Sequence, residues 1–134
     1  MISSAMNNAR LDSLIRERVQ MQEGLPGYWR FEFRDHAVIV MTDETHNRMR
    51  IITPVVEVTE IDESIWLLAL SANFDRALDA RYAINGDYLW SVFIHPLSQL
   101  TEDQFADALD QVVNLAENFG TSFSSTDVVF GSDD

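Results

Sequence analysis

Three histidines and several groups of carboxylates are the residues of this chain that could carry out chemistry, and His95 is the first to consider. It ends the aromatic run YLWSVFIH and directly precedes Pro96. A general base needs a partner that positions it, and no serine or aspartate stands at a catalytic spacing from this histidine. Because the residue before a proline favours an extended conformation, we interpret His95 as a strand-end residue with a local hydrogen bond.

The segment TDETHNR, residues 42–48, offers a second candidate site, since Asp43, Glu44 and His46 could bind a divalent ion together. Their spacing matches neither a helical zinc motif nor the calcium loop with its glycine and distal glutamate. A solvated acidic loop is the better interpretation. The five glycines fit turns and helix caps and form no phosphate-binding loop. We therefore predict that the chain binds no metal and no cofactor.

Arg48 and Arg50 are two residues apart, which places both side chains on the same face of a strand. There they could bind a carboxylate or a phosphate group through paired hydrogen bonds. In a chain this rich in acids, we instead expect ion pairs with Glu32 or Glu57 on neighbouring strands.

The net charge of −13 makes several classes of partner unfavourable. Residues 1–50 hold seven arginines and seven acids, residues 51–134 hold two arginines and fifteen acids, and lysine is absent. Nucleic acids and anionic membranes need cations that replace their counterions, so we expect neither as a partner. A basic or apolar protein surface would suit this charge.

The size and composition indicate one domain with its own core, since the 134 residues are 46% hydrophobic. No apolar run approaches the roughly 20 residues of a membrane span, and no basic-then-apolar signal pattern is visible at the N-terminus. The absence of cysteine excludes disulfides and thiolate chemistry. We expect a cytoplasmic protein with a domain over residues 1–120. Residues 121–134 form a polar tail, which is either a short edge strand or disordered.

The first half of the chain is predicted to contain one helix followed by three strands. Apolar residues recur at helical spacing through residues 5–23, and Gly24 follows as a stop. Alternating apolar residues predict a strand over residues 28–34, and a run that is apolar on both faces predicts a second over residues 37–42. A third strand is predicted over residues 49–58. Pro54 cannot donate to a ladder, so the third strand should lie at an edge or contain a bulge there.

The second half is predicted to contain two helices around a hairpin. Asp62 is the expected N-cap of the second helix, and Asn85-Gly86 marks a turn between two strands. A capping box of Thr101 and Gln104 begins the last helix. The order α-β-β-β-α-β-β-α is that of an α+β domain with three helices and a five-stranded antiparallel sheet.

The second helix is apolar on nearly all sides from Ile65 to Leu70, which is unusual for a helix at a domain surface. It is either an ordinary core helix or the interface of a homodimer, with Leu67, Leu70 and Phe74 facing a symmetry-related copy. The pattern alone leaves both alternatives open.

The run from Leu67 to Gly120, LLALSANFDRALDARYAINGDYLWSVFIHPLSQLTEDQFADALDQVVNLAENFG, resembles the second half of the class I type III secretion chaperones of the CesT type. The shared features are a leucine-rich helix with Asn73 near its end, a hairpin at Gly86, and a hydrophobic strand that runs into Pro96-Leu97. The element order, length and acidity are also similar over residues 8–120. The related YbjN-like bacterial family has the same architecture.

This resemblance implies a homodimer without catalytic activity. Such a protein holds an extended segment of a client over apolar patches and at sheet edges. The positions that match the family's dimer contact are Leu67, Leu70, Phe74 and Trp90. The positions that match its client groove are Leu14, Phe31, Phe33 and Val40, which are also the obvious core residues.

Two other functions remain open. A YbjN-like regulatory protein of the same fold would bind a folded partner. A small enzyme would use His95 or the loop from Asp43 to His46, and it would need one of these histidines to face a concave pocket with a carboxylate partner.

Overall fold

A six-stranded antiparallel sheet and three helices make up residues 5–126, the part of the chain that the computed structural model describes. The strands stand in the order β1-β2-β3-β4-β6-β5, so β1 and β5 are the edges. The elements along the chain are α1 (Asn8–Arg18), β1 (Met21–Leu25), β2 (Tyr28–Phe33), β3 (His36–Asp43), β4 (Arg48–Glu57), α2 (Glu63–Asp75), β5 (Arg81–Asn85), β6 (Tyr88–His95) and α3 (Glu102–Glu117). The predicted α+β class is confirmed, and the prediction of five strands is wrong.

The additional strand is β1, where the sequence pattern predicts the end of the first helix. Helix α1 ends at Arg18, and Val19 already has an extended backbone with φ −138° and ψ 161°. Residues 20–23 are largely exposed, so a further helical turn would bury little apolar surface. The turn at Pro26-Gly27, with Gly27 at φ +95°, instead lets this segment pair with β2. The predicted first helix is therefore confirmed over Asn8–Arg18, and its continuation to residue 23 with Gly24 as the stop is wrong.

Pro54 lies in the middle of the sheet, because β4 pairs with β3 on one side and with β6 on the other. The register of the pairing with β6 shifts between Pro54 and Val56. A bulge at this point tolerates a residue that has no N–H to donate. Of the two predicted alternatives, the bulge is confirmed and the edge position is wrong.

The core lies between one face of the sheet and helices α1 and α3. Alternation along the strands turns one set of side chains inward, and these are almost fully buried: Trp29, Phe31, Val38, Val40, Met49, Ile51, Leu89 and Phe93. Helix α3 is tied to this face by the Ser91 hydroxyl, which donates to the Val112 carbonyl at 2.8 Å, and by the Tyr82 hydroxyl, which donates to the Leu115 carbonyl at 2.7 Å. In the described part of the chain, no helix covers the opposite face.

The predicted helix and hairpin signals are present with one shift of register. The Thr101 hydroxyl accepts the Gln104 backbone N–H, and the Gln104 side chain accepts the Thr101 N–H, both at 3.0 Å, so the capping box is confirmed. The hairpin turn falls at Gly86-Asp87 rather than at Asn85-Gly86, because Asn85 already pairs with Tyr88. Gly86 has φ +65°, which explains the glycine at this position.

The first residues of the C-terminal tail pack on the domain. Phe123 is buried and lies edge-to-face against Tyr82 and Phe119, with ring centroids 6.1 and 5.4 Å away. The Ser125 hydroxyl accepts the Leu78 N–H at 2.7 Å. The folded unit therefore extends past residue 120. The edge strand considered for residues 128–130 lies outside the described residues.

Asp12 joins α1 to the core. Its carboxylate accepts the indole N–H of the fully buried Trp29 at 2.8 Å and the Arg16 Nε–H at 2.9 Å. These hydrogen bonds, with that from Trp29 first, lower the pKa of Asp12 below its usual value.

Asp12→Ala is expected to lower the free energy of unfolding by about 1–3 kcal/mol at pH 7, because it leaves the buried Trp29 donor without a partner. A carboxyl with a lowered pKa in the folded state stabilises the fold above its unfolded pKa of about 4, and this contribution is lost as the pH falls through the folded value. Urea denaturation should therefore show the difference from wild type shrinking between about pH 5 and pH 3. A difference that stays constant over this range would contradict the assignment. Asp12→Asn keeps an acceptor for the Trp29 N–H, so it should lower the free energy of unfolding at pH 7 by less than Asp12→Ala does.

Candidate protein-binding site

Helix α2 is attached to the domain by two buried alanines, by Asn73, and by Ile65 and Trp66, which pack partly buried against the core. Its buried residues are Ala69 and Ala72. Asn73 donates its amide N–H to the Tyr82 carbonyl at 3.1 Å and accepts the Tyr82 backbone N–H at 2.8 Å. The Asn73 side chain thus takes the place that a neighbouring strand would take along β5. The helix is held close to the sheet edge, and Leu67, Leu70 and Phe74 are left exposed.

The outer surface of α2 exposes four large apolar side chains, those of Leu67, Leu68, Leu70 and Phe74. The exposed fractions are 62% for Leu67, 63% for Leu70 and 92% for Phe74. These residues follow the spacing i, i+3, i+7 and form one stripe along the helix, which we call the α2 stripe. No charged residue occurs from residue 64 to residue 74. The interpretation of this segment as an ordinary core helix is therefore wrong, because no part of residues 5–126 covers the stripe.

Trp90, the fourth residue predicted for the dimer contact, lies on a different surface. Its neighbours Leu89 and Ser91 point into the core, so Trp90 lies on the sheet face that no described helix covers. There it is half-buried, its indole N–H donates to the Asn85 carbonyl at 3.0 Å, and it contacts the Tyr88 ring edge-to-face at 6.1 Å. Leu67, Leu70 and Phe74 thus lie along one helix, α2, whereas Trp90 lies on strand β6.

The four residues implied as a client groove belong mainly to the core. Leu14, Phe31 and Val40 are buried between the sheet and its helices, and Phe33 is half-buried at the end of β2. A partner cannot contact the first three in this conformation, because the core of the chain itself occupies their surroundings. Only Phe33 presents part of its surface.

The histidines considered for chemistry make local contacts. The Nδ1 of His95 lies 2.9 Å from the Pro96 carbonyl oxygen, and its ring stacks on Phe93 at 5.7 Å, which confirms the predicted local hydrogen bond. The Nδ1 of His46 lies 2.8 Å from Asp43, whose carboxylate also accepts the His46 backbone N–H. These bonds hold the loop together and lower the pKa of Asp43. Within residues 5–126, no three acidic or histidine side chains come together as a metal site.

The predicted ion pairs of Arg48 and Arg50 with Glu32 or Glu57 are absent, and all four residues are described. Arg48 donates to the backbone carbonyl of Asn47 at 3.0 Å. The side chain of Arg50 is exposed, and its cross-strand neighbours are Met41 and Ile94. The prediction fails because β4 lies between β3 and β6, which places apolar residues beside Arg50.

Comparison with known proteins gives matches in structure alone. No family model matches the sequence, and no curated protein is similar enough to count as a relative. Among solved structures, the HopA1–SchA chaperone–effector complex matches with a TM-score of 0.63 and 12% identity, over 81% of this chain and 88% of that chain. The ExsC–ExsE complex matches with a TM-score of 0.65 and 16% identity, over 84% of this chain and 92% of that chain. A third match is the Yersinia pestis type III secretion chaperone SycH, solved in complex with a stable fragment of YscM2. Its TM-score is 0.62 and its identity 14%, over 84% of this chain and 98% of that chain.

The fold is that of the type III secretion chaperones. This confirms the resemblance drawn from residues 67–120, and it extends over both halves of the chain. The YbjN-like family is not represented among these three structures. Because one fold supports many functions, the function of this chaperone-like chain has to be argued from its own surfaces. Among the described residues, no helix is both long enough and apolar enough to cross a bilayer.

Proposed function

We propose that this chain is a non-catalytic, homodimeric protein-binding module that holds an extended segment of a client protein. The observation that carries the proposal is the α2 stripe, an uncharged apolar surface on a chain of net charge −13. The three solved structures described above contain a second protein beside the matching chain. That supports a protein as the partner here.

The α2 stripe suits a contact between two copies of the chain. In a two-fold symmetric dimer the same patch lies on both sides of the interface, so an uncharged apolar stripe is complementary to itself. Burial of Leu67, Leu70 and Phe74 would remove apolar surface from water on both copies, which is the main favourable term in association. The two hydrogen bonds of Asn73 with Tyr82 hold α2 in place for this contact.

The β1 edge suits an extended client segment. Strand β1 pairs with β2 on one side, and its other side faces outward with backbone groups that another strand could bond. The opposite edge, β5, is less suited, because Asn73 already occupies the backbone N–H and carbonyl of Tyr82. We therefore expect strand addition at Met21–Leu25.

The proposal can be tested by co-expressing the chain with the products of the two genes that flank its own. We expect one of them to co-purify, with an extended segment of the client and strand β1 of this chain both protected from hydrogen exchange in the complex. A folded partner that leaves β1 unprotected would contradict the proposal. That outcome would support the regulatory alternative instead.

A further inference from the structure

We infer that the open sheet face of β4, β6 and β5 binds protein segments in which two acidic residues flank an aliphatic residue at spacing i, i+2, i+4. This inference rests on the proposed function, because it names the chemistry of the client and a second surface that contacts it. The residues that carry it, which we call the arginine–aliphatic face, are Arg50, Ile52, Val92, Ile94 and Arg81.

The arginine–aliphatic face has an apolar centre between two cations. Cross-strand pairing sets Arg50 beside Ile94, and Ile52 beside Val92, which in turn lies beside Arg81. The inward neighbours Met49, Ile51, Tyr82 and Phe93 are buried, so these five side chains alternate to the other face. Ile94 is 54% exposed there. Within residues 5–126, no helix covers this face.

The charge of this face is opposite to that of the protein as a whole. Glu57 is the only acidic residue in β4, β5 and β6, while the same strands contain three arginines. Asp79 and Asp107 line a cavity together with Arg81 at the edge of this face. The described acids of α3 are exposed: Glu102, Asp103, Asp107, Asp110 and Glu117. A partner with carboxylates is therefore complementary to this face and is repelled by the rest of the surface.

The two cations remain available for a partner. In the described part of the chain, Arg16, Arg34, His36 and His46 form ion pairs, whereas Arg50 and Arg81 form none. Arg81 donates from one nitrogen to the carbonyls of Leu78 and Ala80. Its other N–H groups can still meet a carboxylate, since a guanidinium has five. The Arg50 side chain donates no hydrogen bond to any of residues 5–126.

The spacing of the client motif follows from sheet geometry. Arg50 lies on β4 and Arg81 on β5, with β6 between them. Their partners on β6, Ile94 and Val92, are two residues apart, so the two arginines are offset by two residues along the strands. With about 4.8 Å between strands and 3.3 Å per residue, their Cα atoms are roughly 12 Å apart. An extended segment covers about 13 Å in four residues, and residues i, i+2 and i+4 point to the same side. Carboxylates at i and i+4 can therefore reach the two arginines, while an aliphatic residue at i+2 lies over β6 and contacts Val92 and Ile94.

A second copy of the chain is a poorer occupant of this face. Two-fold symmetry would bring the Arg50 and Arg81 side chains of both copies into one interface, and like charges in one interface are unfavourable. A basic client segment would meet the same repulsion. In a segment with two acidic residues and one aliphatic residue, the carboxylates pair with the arginines and the aliphatic side chain packs on the apolar centre.

The test measures binding of three fluorescent peptides by anisotropy, with the full chain as the receptor. The first contains two copies of Asp-Ser-Ile-Ser-Asp, the second has lysine in place of aspartate, and the third has serine in place of isoleucine. We expect the first to bind at least tenfold more tightly than the second and several-fold more tightly than the third, with affinity that falls as salt rises.

Arg50→Glu should weaken binding of the aspartate peptide about five- to tenfold and strengthen binding of the lysine peptide. The matched control is Arg18→Glu, a charge reversal of an exposed arginine at the end of α1, which should change binding by less than about twofold. Circular dichroism checks that both variants fold. The reciprocal change with the lysine peptide is a result that mere destabilisation would not produce.

Equal binding of the aspartate and lysine peptides, or equal effects of Arg50→Glu and Arg18→Glu, would overturn the inference. So would a change of oligomeric mass in Arg50→Glu, since it would make this face a contact between copies. Absence of binding by all three peptides would also overturn it. The client complex sought by co-expression does not depend on these peptides, so that experiment decides separately whether the proposed function fails.

Discussion

Leu70→Asp is expected to convert a dimer of this chain into a folded monomer, with association weakened by at least 100-fold. Leu70 is 63% exposed in the single chain, so a carboxylate there stays in water and does not disturb the core. In the proposed dimer the same carboxylate would lie against the apolar stripe of the other copy, and an unpaired charge is costly to bury. Symmetry places two such charges in each interface. Sedimentation velocity over a range of concentrations measures the change, and circular dichroism checks the fold.

The chain offers a matched control for this substitution. Leu25 on β1 is also a leucine, 61% exposed, and distant in the sheet from α2. Leu25→Asp introduces the same charge at the same exposure, and the dimer should persist. If Leu70→Asp remains dimeric, the α2 stripe is not the contact between copies. If it unfolds, Leu70 supports the fold and the assignment of an exposed stripe is wrong.

Phe31→Ala and Phe74→Ala remove the same atoms, but they are expected to differ widely in their effect on the free energy of unfolding. Phe31 is fully buried on β2, so its loss should lower the free energy of unfolding by about 3–5 kcal/mol. Phe74 is almost fully exposed, so its loss should change that free energy by no more than about 0.5 kcal/mol. Both should be measured by urea denaturation in the Leu70→Asp background, because dimerisation would add its own contribution to the stability of the wild type.

A small effect of Phe31→Ala would contradict the burial of this residue. It would also reopen the assignment of Phe31 to a client groove, which the resemblance implies and the described core argues against. Comparable losses for both variants would mean that Phe74 packs against the chain itself. The α2 stripe would then not be a surface for a partner.

Much of the fold could be predicted from local signals. Alternation along Tyr28–Phe33 identified β2, and the capping box at Thr101 identified the start of α3. Strand β1 could not be predicted in this way, because MQEGL has no apolar alternation and depends on pairing with β2 across the Pro26-Gly27 turn. Its stability comes from a neighbour that the local sequence does not reveal.

The candidate site could be predicted in part. The helical spacing of Leu67, Leu70 and Phe74 gives the stripe, but the same spacing describes a core helix, and only the burial of Ala69 and Ala72 decides which face points outward. The arginine–aliphatic face could not be predicted at all. It depends on β4 lying between β3 and β6. From the sequence, Pro54 in that strand was equally compatible with a strand at the edge of the sheet.

The solution mass of the wild-type chain, measured by light scattering, tests the central claim most directly. The α2 stripe is proposed to join two copies, so the expected mass is about 31 kDa, twice the 15.3 kDa of one chain. A mass near 15.3 kDa at tens of micromolar would contradict the homodimer. The exposed stripe would then have to be assigned to a different protein.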